Sequence, residues 1–282
     1  MSGAADWLGL TGKVAVVTGA GGGIGRAVCA AMHGAGARVV ALDRAADPIP
    51  GTMVLSCDMT TEASVTAAAD HVARTLGGAD ILVNAAGILR PGPLETLSLQ
   101  DWEAMIAVNL TGCFLGARAF GAQMLARGGG AIVHVASISA SQPQPFSGAY
   151  SPGKAGVVML SRQLASASPS THSFFQVLPS TNTSVIACSE WGARGVRSNV
   201  VSPGLVRTPL SAAFYADNET LAARESMVPV GRIGDPVDTA NAVLFLCSSR
   251  ANYITGQEII IDGGLSQVLM GQVPRPGYAQ RS

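Results

Sequence analysis

The chain has 282 residues, 48% of them hydrophobic and only 13% charged, with 34 glycines. That length and apolar content suit one large α/β domain with a substantial core. A formal net charge of zero gives no electrostatic case for nucleic acid or an acidic membrane surface.

No apolar run in the sequence is expected to span a bilayer. The leading Met-Ser-Gly-Ala-Ala-Asp-Trp has no basic region followed by an apolar stretch, so no secretory signal is expected. Cys29, Cys57, Cys113, Cys188 and Cys247 are odd in number and lack Cys-x-x-Cys spacing. They read as buried thiols in a reducing cytoplasm. His33, His71, His134 and His172 show no metal-ligand spacing, and no metal is expected.

Residues 13–18, Lys-Val-Ala-Val-Val-Thr, form a β-branched apolar run and predict a buried parallel strand. Gly19-Ala-Gly-Gly-Gly-Ile-Gly25 follows at once, and a helix is expected from Arg26. Strand, glycine turn and helix place a phosphate at a helix N-terminus. Side chains at these glycines would block backbone approach to a pyrophosphate. The spacing of Gly19, Gly23 and Gly25 differs from G-x-G-x-x-G. A second strand, 37–42, ends at Asp43. An acid there can bind both ribose hydroxyls of an adenosine and repel a 2′-phosphate, which favours NAD over NADP. The adjacent Arg44 pulls the other way, since a guanidinium can meet a 2′-phosphate.

Residues 45–52 carry two prolines and leave no room for a crossover helix. A third strand, 53–57, ends at Asp58, a helix is expected over 62–76, and a fourth strand, 81–83, runs into Asn84-Ala-Ala-Gly87. Strands alternating with helices imply a doubly wound parallel sheet. Ligands lie at the carboxyl ends of such strands, so Gly19, Asp43, Asp58 and Asn84 fall on one edge. A long helix is expected over 102–124 with Asn109 inside it, either a buried polar lock or part of a proton path. A fifth strand, 131–136, delivers Ser137 to the same edge, where it is either functional or a turn cap.

Tyr150-Ser-Pro-Gly-Lys154 then opens an apolar run. On a helix, Tyr150 and Lys154 share a face. A tyrosine beside a fixed ammonium loses its proton more easily than a free phenol, whose pKa is about 10, and can act as an acid or base. The bland alternative is a surface pair on an amphipathic helix. Past Ala165, residues 166–188 are rich in Ser and Thr, with neither helical nor strand periodicity. They read as an insertion in the helix's last turn: a surface excursion, a partner-binding loop, or sequence foreign to the fold. A sixth strand, 197–201, leads to Pro203-Gly-Leu-Val-Arg-Thr208. A helix over 238–247 and a last strand over 257–262 complete a domain spanning 1–264, followed by a polar tail, 265–282.

Thr18-Gly-x-x-x-Gly-x-Gly25, Asn84-x-Ala-Gly87, Asn109, Ser137, Tyr150-x-x-x-Lys154 and Pro203-Gly204 occur in the order and rough spacing of the short-chain dehydrogenase/reductase family, which the chain resembles from about Leu10 to Gly264. Asn84-Ala85 stands where Asn-Asn is commoner, and Pro152-Gly153 lies inside the Tyr/Lys motif. The resemblance implies a single Rossmann-like α/β domain, with helices on both faces of the sheet, that transfers a hydride between a nicotinamide cofactor and a secondary alcohol or ketone. It assigns Tyr150 the proton transfer. Lys154 would lower the pKa of Tyr150 and hold the nicotinamide ribose. Ser137 would hydrogen-bond the substrate oxygen, and Asn109 would hold a water linking Lys154 to solvent. Cofactor contacts are expected from Gly19, Gly23, Ile24, Gly25, Asp43, Asp58, Met59, Asn84, Gly87, Tyr150, Lys154, Pro203, Val206 and Thr208. Residues 209–230 would form a substrate lid. Members commonly pair through the helix that carries the tyrosine, so a cytoplasmic homotetramer or homodimer is expected. A dinucleotide-binding protein without turnover is the alternative class.

Val83-Asn-Ala-Ala-Gly-Ile-Leu-Arg90, with the short stretch after Asp43, is similar to bacterial 2,3-dihydro-2,3-dihydroxybenzoate dehydrogenases. Arg90 is therefore either a carboxylate ligand or a solvated loop cation. Gln144 is the second candidate substrate contact.

Overall fold

A computed structural model of the protein describes residues 6–45, 47–166 and 190–269. Seven strands make one parallel sheet in the order β3-β2-β1-β4-β5-β6-β7. They are β1 (Val14–Thr18), β2 (Arg38–Asp43), β3 (Thr52–Ser56), β4 (Ile81–Asn84), β5 (Gly130–Val135), β6 (Val196–Pro203) and β7 (Glu258–Ile261). Every residue of β1 is buried, as a central strand covered on both faces must be. Its alternate side chains serve opposite faces. Ala15 and Val17 pack with Val28 and Met32 of α1 (Gly23–Gly34) and with Val243 and Leu246 of α7 (Pro236–Cys247). Val14 and Val16 pack with Val65 of α2 (Glu62–Leu76), Phe120 of α4 (Gly112–Ala126) and Leu164 of α5 (Tyr150–Ala165). The strand order reverses between β1 and β4, so their carboxyl ends diverge into a crevice.

The long helix expected over 102–124 is instead α3 (Leu99–Ile106), a π turn (Ala107–Thr111) and α4. Ser98 caps it, its Oγ accepting from the Asp101 N–H at 3.0 Å. By length and composition this 28-residue run, Leu99–Ala126, is long and apolar enough to cross a membrane, contrary to the sequence expectation. Half of its apolar window is buried in the protein, with Leu115, Phe120 and Met124 set against the sheet.

α5 starts at Tyr150 itself, with Pro152 and Gly153 in the first turn, where proline's missing N–H costs nothing. At its other end the Trp191 N–H donates to the Leu164 carbonyl at 3.0 Å, and Gln163 bonds Glu190 at 3.0 Å. The chain therefore leaves at Ser166 and re-enters at Glu190 beside the same helical turn, as an insertion requires. The expected insertion, 166–188, lies outside the described residues apart from Ser166. So does the tail beyond Leu269. The expected lid consists of a 3₁₀ segment (Pro209–Tyr215) and α6 (Asn218–Ser226), which has no buried residue.

Candidate active site

The glycine turn begins with Gly19 at φ +63°, where a Cβ would sit 2.5 Å from the Ala86 backbone. Only glycine serves there. A Cβ on Gly25 would overlap the Gly19 carbonyl oxygen, so α1 closes tightly on the turn. Thr18 is buried, and its Oγ1 accepts from the Ala85 and Ala86 N–H groups at 3.2 and 3.3 Å. This ties the glycine turn to the loop after β4. At the end of β2, Asp43 Oδ2 accepts from the Gly21 N–H at 2.8 Å. Gly19, Asp43, Asp58, Met59 and Gly87 line a cleft of about 200 Å³. Asp58 spends its Oδ1 on the Thr60 N–H and hydroxyl at 2.9 and 2.7 Å. These hydrogen bonds, the backbone one first, hold its carboxyl below the usual range.

Ala85 and Gly87 carry this cleft into a larger cavity of about 540 Å³. Ser137, Tyr150 and Lys154 line it, together with Ile24, Gln144, Pro203, Val206 and Thr208. Lys154 is only 3% exposed, and its ammonium donates to the Val135 carbonyl at 2.8 Å. Among the described residues that is its one hydrogen bond, which leaves two of its three donors for a ligand. The ammonium lies 5.6 Å from the centre of the Tyr150 ring. Ser137 Oγ accepts from the Ser139 N–H at 3.1 Å, so its own proton remains available to a substrate oxygen. The loop that hands over Tyr150 is strained: Phe146 has φ +60°, rare for a side chain of its size.

Asn109 sits in the π turn, fully buried. Its Oδ1 accepts from the Ile88 N–H and its Nδ2 donates to the Ile88 carbonyl, both at 2.9 Å. The expected water-holding amide is thus committed to the loop after β4. A Cβ on Gly87 would lie 3.1 Å from Asn109 Oδ1 and 3.4 Å from Lys154 Nζ, so the three converge. Single π turns of this kind recur at functional sites.

Three expected site residues lie elsewhere. Asn84 is buried behind the crevice, where its Nδ2 donates to the Cys113 carbonyl and to His134 Nδ1, each at 3.2 Å. Arg90 pairs with Asp101 at 2.6 Å, half exposed, and does not line the cavity. The Asp101 carboxylate accepts from the Ser98 hydroxyl at 2.8 Å with Oδ2 and from the Arg90 guanidinium with Oδ1, which leaves Arg90 a partly exposed loop cation. Gly23 packs under Thr208, 3.0 Å from the place of a Cβ, and joins the glycine turn to the loop after β6. The Thr208 hydroxyl itself caps the 3₁₀ segment through Ser211 at 3.0 Å.

His134 is completely buried beside Lys154. Burial, and then the ammonium's charge, push its pKa down to about 3, so the imidazole is neutral and Nδ1 is the acceptor. Burial likewise pushes the Cys113 thiol up to about 11, against the pull of Lys154. The cavity's far wall is formed by Leu205 and by five residues of the expected lid, Leu210, Phe214, Tyr215, Arg224 and Met227. Only their place between the last two strands marked them in the sequence.

Residues 13–172 match the short chain dehydrogenase family, and residues 182–266 match the family described as enoyl-(acyl carrier protein) reductase. The chain is 40% identical to D-threitol dehydrogenase of Mycolicibacterium smegmatis, over 90% of this chain and 93% of the relative. It is 37% identical to galactitol 2-dehydrogenase (L-tagatose-forming) of Cereibacter sphaeroides, over 90% and 95%. Identity to 2,3-dihydro-2,3-dihydroxybenzoate dehydrogenase of Bacillus subtilis is 31%, over 91% and 97%. Gluconate 5-dehydrogenase of Burkholderia cenocepacia, solved in complex with NADP and tartrate, superposes with a TM-score of 0.81 at 30% identity, over 94% of this chain and 99% of that one. A 3-ketoacyl-(acyl-carrier-protein) reductase of Brucella melitensis, complexed with NADH, gives a TM-score of 0.77 at 30% identity, over 91% and 99%. With its parallel sheet, its glycine turn and its Ser-Tyr-Lys cavity, the chain belongs to the short-chain dehydrogenase/reductase family of NAD(P)-dependent oxidoreductases acting on CH–OH groups.

Proposed function

We propose that Tyr150 is the proton-transfer group of this oxidoreductase, working on a secondary alcohol or its ketone with Ser137 and Lys154. The observation that carries the reading is the convergence of these three side chains on one cavity continuous with the Asp43 cleft. The dinucleotide fits, because the cleft lined by Gly19, Asp43 and Gly87 runs into the cavity lined by Ser137, Tyr150 and Lys154. When bound it accepts or supplies the hydride. Tyr150 Oη takes the alcohol proton on oxidation and returns it on reduction. Ser137 Oγ donates to the substrate oxygen and stabilises charge developing there. The Lys154 ammonium stabilises the phenolate, and its two free donors suit the hydroxyls of a ribose. Asn109 keeps the loop over Lys154 in place.

NAD is the preferred cofactor in this reading. Asp43 lies against the turn, where it would meet ribose hydroxyls and repel a 2′-phosphate. The enzyme works as a homotetramer or homodimer, a reading supported by the exposed Phe114 and Met159 on α4 and α5. It resides in the cytoplasm, which suits the four free buried thiols among the described residues. Tyr150→Phe tests the mechanism. Turnover should disappear while NADH affinity changes less than about threefold, and near-full activity would refute the assignment.

A further inference from the structure

The active-site cavity is largely apolar on its outer side, walled by Leu205, Leu210, Phe214 and Met227. Among the described residues, Arg224 is the one charged side chain in its lining apart from Lys154. It is held flat against the lid, with its guanidinium carbon 5.1 Å from the Phe214 ring centre and 5.6 Å from that of Tyr215. The aromatic faces orient the guanidinium, and one of its donors also reaches the Tyr215 hydroxyl, which leaves the others for a ligand. Two acids of its helix, Glu225 and the capping Asp217, are engaged elsewhere. Glu225 pairs with Arg207 at 2.8 Å, and Asp217 caps α6 through the Thr220 N–H at 2.8 Å. Among the described residues Arg224 takes part in no ion pair. A partly exposed guanidinium in no ion pair keeps donors available to an anion that enters the cavity.

We infer that Arg224 is the substrate's carboxylate receptor, and that the enzyme acts on compact secondary alcohols bearing a carboxylate. This rests on the oxidoreductase reading above. It moves the anion site from Arg90, which is tied to Asp101 outside the cavity, to the lid. The cavity of about 540 Å³ must also admit the nicotinamide beside Ile24 and Pro203, so the space left suits a small hydroxy acid. Gln142 and Gln144 on the opposite loop offer neutral hydrogen bonds to its remaining hydroxyls.

Matched substrates that differ only in the anion test the inference: gluconate against glucitol, and 4-hydroxycyclohexanecarboxylate against 4-(hydroxymethyl)cyclohexanol. The native enzyme should favour the acid of at least one pair by roughly tenfold or more in kcat/KM. Arg224→Gln should raise KM for that acid roughly 10- to 100-fold and move the neutral partner less than about threefold, while Arg224→Lys restores part of the loss. A guanidinium that only braces Phe214 and Tyr215 would lower both partners equally, and that result overturns the inference. So does a preference for the neutral partner, which leaves the oxidoreductase reading intact. If no alcohol is turned over, calorimetry with cyclohexanecarboxylate and NADH decides the matter. Binding that Arg224→Gln abolishes keeps the anion site and removes the enzymatic reading. No binding to the native protein removes the anion site.

Discussion

His134→Asn should flatten the fall in stability between pH 8 and pH 4.5. The imidazole lies near the carboxyl end of β5, fully buried, with the Lys154 ammonium and the Asn84 amide near it. Among the described residues its Nε2 and the Asn84 Oδ1 have no partner, so nothing nearby welcomes a second positive charge. Folding lowers the pKa from 6.5 to about 3. The unfolded chain therefore takes up a proton below pH 6.5 that the native state refuses until pH 3 is approached. The stability this group contributes is fully present above pH 6.5 and is lost as pH falls towards 3. Each pH unit inside that window costs about 1.4 kcal/mol. The two units down to pH 4.5 cost about 3 kcal/mol. The depressed carboxyls of Asp58, Asp101, Asp217 and Asp238 stay out of the window, because their contribution is lost only below 3.8. Asparagine leaves a cavity that lowers stability by a similar amount at every pH, which shifts the curve without tilting it. Urea unfolding followed by tryptophan fluorescence at both pH values reads the tilt directly. Parallel pH dependences for the native protein and the variant would show that His134 is protonated when folded, and would refute the buried neutral imidazole.

Two further substitutions probe other links. Asp43→Asn keeps an oxygen for the Gly21 N–H but removes the charge facing a 2′-phosphate. The ratio of kcat/KM for NADP over NAD should rise at least about tenfold, and an unchanged ratio would place cofactor choice elsewhere, with Arg44 next to be tested. Asp238→Ala cuts both the paired hydrogen bonds from Arg232, at 2.7 and 2.9 Å, and the capping contact with the Asp235 N–H at 2.8 Å. The Arg232 bond comes first among the causes that hold this carboxyl low. Its contribution is therefore present above 3.8 and lost as pH falls through the depressed value. Loss of a cap of about 1 kcal/mol should lower Tm by about 2–4 °C at pH 7. The gap between variant and native protein should narrow as pH falls below 3.8, and a constant gap would assign the loss to packing.

The parts of this protein that were legible in sequence are those whose placement is local. Ser137 follows β5 and Asp43 ends β2, so knowing the strand is knowing the edge. Tyr150 and Lys154 lie four residues apart on one helix, and that spacing alone puts the ammonium near the ring. The side-chain partners of Asn109, Asn84 and Arg90 were not legible for a shared reason: each partner lies far along the chain. The Ile88 backbone takes the first, Cys113 and His134 take the second, and Asp101 takes the third. The π turn that aims Asn109 changes the helical register by one residue, which periodicity cannot reveal in a uniformly apolar run. Nothing in the composition of 131–136 marked His134 as a buried neutral imidazole. That state follows from what packs around it.

Chemistry and selectivity are held in place by different forces. Tyr150 and Lys154 belong to a helix whose Val157, Val158 and Leu164 are buried, and Lys154 is itself bonded to β5. Changes there disturb the core as well as the reaction. α6 has no buried residue. What positions it is the Arg207–Glu225 pair and the stacking of Arg224 on Phe214 and Tyr215, both near the surface. Exposed contacts of this kind contribute about 1 kcal/mol or less each. The lid can therefore be altered at little cost to folding, and substitutions at 210–227 should alter substrate preference before they alter stability. Selectivity written in so lightly held a segment is the part of the function that a pattern of strands and glycines has least power to specify.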